Sequence, residues 1–275
     1  MMRQMLAIAA KELRDGVRNR WALAIAGVLA VLALAIAWFG PAASGRVGFA
    51  SLGATVASLA SLAVFLVPLV ALLLGHESVV GEAERGTLLL LLAYPLGRRT
   101  LLAGKFLGHA ALLAAATALG LGGAAAVLAA AGAAGEGLWP AFTRLILSTA
   151  LLGWVFLALA YAISAGAREK GRALAGALAA WFAFVLVYDL VLLGTLVAAG
   201  GRLPPALFGA LLVANPADAF RILNLTGLEA AEALGGLGAV ARGPLVSAPV
   251  LAGVLAAWLA GLLGVAFHRF ARREV

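Results

Sequence analysis

The fold class that this sequence predicts is an all-α polytopic membrane protein with six transmembrane helices, and three observations predict it. Six charge-free stretches interrupt the 275-residue chain, at 21–45, 47–75, 106–135, 145–167, 173–188 and 243–267. A helix needs about 20 apolar residues to cross a bilayer, so the longer stretches include loops or tilt. The chain is 64% hydrophobic and 12% charged with a mean hydropathy of +1.08, against about 25% charged in a soluble domain. The third observation is how the basic residues are spread. Of the 20 lysines and arginines, 15 precede the first stretch, separate the second from the third or the fourth from the fifth, or follow the sixth. With six spans all these places lie on one side, which the positive-inside rule makes the cytoplasm, so both termini are cytoplasmic. The same charges explain the net +8 without nucleic acid.

Residues 1–20 read as an interfacial helix. Met5, Ala9, Leu13 and Val17 form its apolar side, and Lys11, Glu12, Arg14, Asp15 and Arg18 take the rest, which suits a helix lying at the inner surface. The apolar run behind it is of span length rather than signal length, so the segment is retained. Trp21 marks one end of the first span at headgroup level, with Trp38 and Phe39 at the other.

Residues 76–100 carry the charges between spans two and three, and 78–93 is predicted to be a cytoplasmic helix. Glu82 and Glu84 lie two apart, so they face different sides of it. Gly86 permits a break or a close approach. Gly120, Gly122, Gly123, Gly261 and Gly264 fall inside spans, where small residues let helices pack closely in lipid. Arg144, at the outer start of the fourth span, is expected to snorkel.

Asp189 follows a run containing Trp181, Phe182, Phe184 and Tyr188, about two-thirds of the way across the fifth span. An ionisable group at that depth is costly. It is either an intramembrane functional residue on a pathway or interface, or a carboxylate capping a helix near the outer surface. The connection 200–247 is extracytoplasmic. Prolines punctuate two short helices at 206–213 and 217–233, with Asn215 as an N-terminal cap. Asp218, Arg221, Glu229 and Glu232 are placed on the wet face. These helices dip into or lie on the outer leaflet and offer a docking surface; the plain alternative is a connecting loop.

Catalytic and metal chemistry find no foothold. There is no cysteine, hence no disulfide and no thiolate site. His76-Glu77 is not a zinc-protease motif, because Val80 stands where the second histidine would be. Gly104-Lys105 lacks the upstream glycine of a phosphate loop, Arg99 being there, and Phe106 follows in place of Ser or Thr. Gly236-Leu237-Gly238 resembles a dinucleotide fingerprint by letter only, since no strand precedes it.

The segment Glu82-Ala83-Glu84-Arg85-Gly86-Thr87-Leu88, followed by Leu91-Leu92, Pro95, Arg98 and Gly104-Lys105, resembles the first cytoplasmic loop of ABC-2-type permeases. Lys11-Glu12-Leu13-Arg14-Asp15-Gly16, Trp38-Phe39-Gly40, Gly153-Trp154-Val155-Phe156 and Asn215-Pro216-Ala217-Asp218-Ala219-Phe220-Arg221 look like one subfamily, the permease of NosDFY-type transporters that mature nitrous-oxide reductase. The resemblance covers essentially the whole chain, as one ABC-2-type transmembrane domain over 1–275. It implies a bacterial inner-membrane subunit that is not itself an enzyme. Its coupling helix would carry Glu77, Glu82, Glu84, Arg85, Gly86, Thr87 and Leu88. The implied partners are a second copy in a homodimer, a NosF-like ABC ATPase holding ATP and magnesium, a periplasmic β-helical NosD-like protein, and membrane lipid. Arg202, Asp218, Arg221 and Glu229 are the expected contacts to the periplasmic partner. The implied role is assembly of the copper–sulfur cluster, either by exporting a small molecule or by relaying ATP-driven motion outward. A generic ABC-2 exporter of a drug or lipid is the alternative. Copper itself is not expected to cross, because Cu(I) favours sulfur and Met1, Met2 and Met5 all lie in the N-terminal segment.

Overall fold

The computed structural model describes residues 2–18, 20–39, 51–94, 96–132, 137–200, 204–225 and 247–273. Arg202 and Glu229, and the glycines near 236, lie outside the described residues. Among the described residues the chain is helical throughout. In order the helices are α1 (Met2–Arg18), α2 (Trp21–Phe39), α3 (Leu52–Gly75), α4 (Val80–Glu84), α5 (Thr87–Ala93), α6 (Arg98–Ala130), α7 (Leu138–Gly166), α8 (Lys170–Phe182), α9 (Tyr188–Ala198), α10 (Pro205–Ala214), α11 (Pro216–Leu225) and α12 (Ala248–Ala271). A five-residue π-helix, Ala183–Val187, joins α8 to α9.

Five helical segments are long and apolar enough to cross a membrane: α3, α6, α7, α8 with α9, and α12. Helix α2 is shorter, but its 19 residues rise about 28 Å, close to the hydrocarbon thickness. These six correspond to the six expected spans. Helices α10 and α11 meet at 110°, at Asn215.

Helix α7 lies at the centre, packed against α3, α6 and α12, while α6 carries α1 and α2 on its other side. The apolar window of α7 is 67% buried, that of the α8–α9 segment only 11%. Leu190, Val191, Leu193 and Val197 of α9 stay exposed on it. Lipid is as apolar as leucine, so packing rather than water exclusion joins spans, and small residues let backbones meet. Gly120 does this: a Cβ there would lie 2.8 Å from Ala26 O on α2. Gly123, Gly261 and Gly264, expected at similar contacts, face outward with nothing within 4 Å.

The C-terminal ends of α7 and α12 are closed by arginines. Arg273 donates to Ser164 O, Ala165 O and Ala167 O at 3.2, 3.1 and 2.7 Å, and Arg269 to Ala162 O at 3.1 Å. Arg98 does the same for α12, donating to Phe270 O, Ala271 O and Arg273 O. The last carbonyls of a helix have no partner within it, so these cations satisfy them and complement the dipole.

Helix α1 lies against α6. Its inward stripe runs Met5, Ile8, Ala9, Glu12, Leu13 and Gly16, whereas Val17 is exposed. Glu12 was expected on the polar side; it is buried, because α6 holds a lysine opposite it. The approach is close. A Cβ at Gly108 would lie 2.6 Å from Glu12 Cβ and 2.7 Å from Ala9 O. Overpacking a fitted contact costs about 1–3 kcal/mol. A Gly108→Leu variant is expected to lower the melting temperature in detergent and to expose residues 2–18 to protease. An unchanged melt and cleavage pattern would show that α1 does not depend on this contact.

Candidate functional site

The predicted cytoplasmic helix over 78–93 is two short helices, α4 and α5, broken at Gly86, whose φ of +71° favours glycine. The start of α4 is fixed from a distance. Ser164 Oγ on α7 accepts both Val79 N–H and Val80 N–H, each at 3.1 Å. Unpartnered N–H groups at a helix start are usually met by a local cap; here a residue 84 positions away in sequence supplies it. Glu84 Oε1 accepts Lys170 N–H at 2.7 Å, at the positive end of α8. Lys170 Nζ lies 3.4 Å from Glu77 Oε2.

The two glutamates do face different ways. Glu84 is exposed. Glu82 points inward, its Oε1 2.9 Å from Lys105 Nζ, and the same Nζ lies 3.1 Å from Glu12 Oε1. One buried ammonium is thus shared by a carboxylate from α1 and one from α4. His109 extends the group: Nε2 is 3.5 Å from Glu12 Oε2 and Nδ1 is 2.7 Å from the Tyr161 hydroxyl. With the proton on Nε2, facing the carboxylate, Nδ1 is left to accept from the tyrosine. Lys11 adds a contact to Glu12 at 3.3 Å. Glu12, Glu82, Lys105 and His109 border a cavity of about 530 Å³ between α1, α3, α4 and α6.

Sequence reasoning missed Glu12, Lys105, His109, Tyr161 and Ser164 as partners. Lys105 was visible in the Gly104-Lys105 pair, which had been weighed as a phosphate loop and as part of the family resemblance, not as an ion-pair partner. Of the expected coupling residues, Glu82 and Leu88 are turned inward, and Thr87 donates its hydroxyl to Glu82 O at 3.2 Å. Arg85 and Gly86 are exposed. Beside them stand Leu89, Leu90 and Tyr94, at 57%, 66% and 67% exposure, a surface the motif did not announce.

A second cluster lies at the other end of the molecule. Arg221 Nη1 bridges Asp189 Oδ2 at 3.2 Å and Asp218 Oδ1 at 2.9 Å. Asn215 Nδ2 donates to Asp218 Oδ2 at 3.1 Å and to Phe184 O at 2.8 Å, the latter within the π-helix. Its Oδ1 accepts Ala217 N–H at 3.0 Å, the N-terminal capping role expected of it. Tyr188 donates to Leu211 O at 2.6 Å. Asp218 was expected on an exposed face, and this is corrected: it is buried, at 2% exposure, as is its neighbour Ala217. Helix α11 packs against α3, α7 and α12, and its polar side chains point at partners there. Ser148 and Asn224, both buried, pair across α7 and α11 at 2.9 Å. Asp189, left open between two roles, is partnered by Arg221 across elements.

These features agree with the comparisons to known proteins. The sequence model of the family described as "ABC-2 family transporter protein" matches residues 6–275. The chain belongs to the ABC-2 transporter family. It is similar to the "Probable ABC transporter permease protein NosY" of Pseudomonas aeruginosa, 53% identical over 270 residues and 98% of each chain. It is also similar to a protein of the same printed name from Stutzerimonas stutzeri, 50% identical over 275 residues and 99% of each chain. As an ABC-2 permease it is a multi-pass membrane protein.

The Lys105 junction has measurable consequences. Removing one partner of a buried ion pair costs about 3–5 kcal/mol, because a charge is left unpaired. Lys105→Met is therefore expected to lower the melting temperature sharply, with most of the loss recovered when Glu12 and Glu82 are also changed to Gln. Burial alone would raise the Glu12 pKa, but Lys105 and then His109 and Lys11 outweigh it and hold it below its ordinary 4.5. A depressed carboxylate stabilises the fold above its ordinary pKa and stops doing so as pH falls through the lowered value. Melts recorded as the pH is lowered from 6 to below 4.5 are expected to fall less in Glu12→Gln than in the parent chain; parallel curves would refute the assignment.

At the other end, Arg221→Met leaves the Asp218 carboxylate buried without a cation. A similar loss of about 3–5 kcal/mol is expected, and Arg221→Met with Asp218→Asn is expected to restore more than half of it in the same melt. An Arg221→Met variant as stable as the parent would show that the bridge contributes nothing.

Proposed function

We propose that this ABC-2 permease couples ATP hydrolysis by a separate ABC ATPase to a change of shape on the outer side of the inner membrane, in the assembly of the copper–sulfur cluster of nitrous-oxide reductase. The observation that carries the reading is the shared lysine. A push on α4 moves Glu82, and Lys105 passes that motion to α6 and, through Glu12, to α1. Ser164 ties the same helix to the central α7. Side chains that are packed and ion-paired on three elements transmit displacement because close-packed interiors do not deform smoothly.

The ATPase docks on the exposed side of residues 84–94. Leu89, Leu90 and Tyr94 supply apolar and aromatic surface, with Glu84 and Arg85 at its edge, a composition common in interface centres and rims. Both termini and this surface are cytoplasmic, as the basic residues require. The printed name of the two relatives, NosY, supports a NosDFY-type setting, in which the partners are a NosF-like ATPase below and a periplasmic NosD-like β-helical protein above. The largely exposed apolar α8–α9 segment suits a homodimer. ATP and magnesium belong to the ATPase, and this chain is not catalytic. Copper is not the cargo of the spans, since its preferred sulfur ligands, Met1, Met2 and Met5, all precede α2.

Leu90→Asp leaves the buried side of α5 untouched. It is expected to keep the protein in the membrane at normal levels while ATPase copurification falls at least about tenfold, as for an anchor worth over 1.4 kcal/mol. Normal copurification and normal reductase maturation would sink the docking surface. Leu90→Cys is expected to react with an impermeant thiol reagent only after cells are opened, and Ser247→Cys in intact cells; the reverse pattern would overturn the orientation.

A further inference from the structure

The cavity beside Lys105 adjoins a second, apolar cleft. Ile25 and Val70 line both, and the cleft has a volume of about 150 Å³. It is walled by Val28 and Leu29 of α2, Leu66 and Val67 of α3, and Leu113 of α6. A polar chamber of about 530 Å³ and an apolar slot along the spans thus stand on either side of Ile25 and Val70. The chamber's polar walls carry Glu12, Asp15, Glu77 and Glu82 with Arg85 and Lys105. Lys11 pairs with Glu12 and Asp15 and Lys170 with Glu77 from just outside, which leaves Glu82 as the carboxylate with a free oxygen. Two of its residues hold unspent hydrogen-bonding capacity. Glu82 gives one oxygen to Lys105, while its Oε2 has no hydrogen bond; Ser78, 5% exposed, makes none through Oγ. Leaving such groups unmet is costly, so they mark where a donor belongs.

We propose that this chamber and slot bind a phospholipid with a primary-ammonium headgroup from the cytoplasmic leaflet. The assignment rests on the orientation argued above, which sets the chamber at the height of that leaflet's headgroups. The ammonium brings three donors and a positive charge to Glu82 Oε2 and Ser78 Oγ. Arg85, exposed at the rim, faces the phosphate. One acyl chain follows Ile25 and Val70 into the slot. An anionic headgroup without an amine meets the carboxylates unfavourably, and a soluble amine forgoes the slot. Because Glu82 also holds Lys105, an occupied site stiffens the junction between α1 and α4.

The test uses the purified full-length chain in detergent and native mass spectrometry. Phosphatidylethanolamine and phosphatidylglycerol with identical acyl chains are the probes, and free phosphoethanolamine is the competitor. Phosphatidylethanolamine is expected to bind about tenfold more tightly than phosphatidylglycerol, the worth of one charge-assisted hydrogen bond. Ser78→Ala and Glu82→Gln are each expected to remove most of that preference. Val70→Phe, which fills the junction of chamber and slot without touching a charge, is expected to weaken both lipids. Equal binding of the two lipids, or a preference that survives all three variants, overturns the site. Competition by phosphoethanolamine at concentrations equal to the lipid overturns the lipid assignment in favour of a soluble amine. Cytoplasmic labelling of Leu90→Cys separates the two readings: with it intact, a failed lipid test refutes this site alone.

Discussion

Hydrocarbon offers no hydrogen bonds, so each backbone group that a helix fails to satisfy needs a partner from the protein. The tertiary structure is organised around the places where helices stop or bend. Ser164 meets the free N–H groups at the start of α4, Asn215 meets both Phe184 O in the π-helix and Ala217 N–H at the start of α11, and arginines meet the ends of α7 and α12. Each of these side chains sits on one element and serves another. The requirement to satisfy a local break therefore becomes a long-range contact, and the breaks become the joints that define how the spans sit.

The two ends of the molecule use the same electrostatic device. On one side Lys105 stands between Glu12 and Glu82; on the other Arg221 stands between Asp189 and Asp218. Lys105 of α6 holds carboxylates from α1 and α4, while Arg221 of α11 joins Asp218 of its own helix to Asp189 of α9. A pair of this kind adds little net stability compared with apolar packing, but it fixes register, because any displacement leaves a charge unmatched. For the relay of motion proposed above, fixed register at both ends is the property of use. The long apolar helices between them supply stiffness.

The periodicity of α1 was legible, and so were the break at Gly86, the cap at Asn215 and the opposed directions of Glu82 and Glu84. The burial of Asp218, Glu12 and Glu82 was not. A carboxylate in a short helix reads as a wet face when only its own helix is considered. Glu12 and Glu82 are buried against Lys105 of α6, whereas Asp218 meets Arg221 of its own helix and is buried by the packing of α11 on α3, α7 and α12. Lys105 was read as a failed phosphate-loop letter and a family-motif letter for the same reason. Glycine contacts divided similarly: Gly120 packs on α2 while Gly261 and Gly264 face outward, and no local pattern distinguishes them.

What the sequence determined by itself is what hydrophobic transfer and charge cost decide one segment at a time: six apolar stretches, an amphipathic first helix and the family they belong to. Those quantities depend on composition and spacing, which are local. The tertiary structure alone decided which helix is central, which carboxylates turn inward, and that residues from α1, α4, α6 and α7 share one junction. Pairing energy depends on distance between groups, and for residues 12, 82, 105, 109 and 161 that distance exists only after the spans have packed.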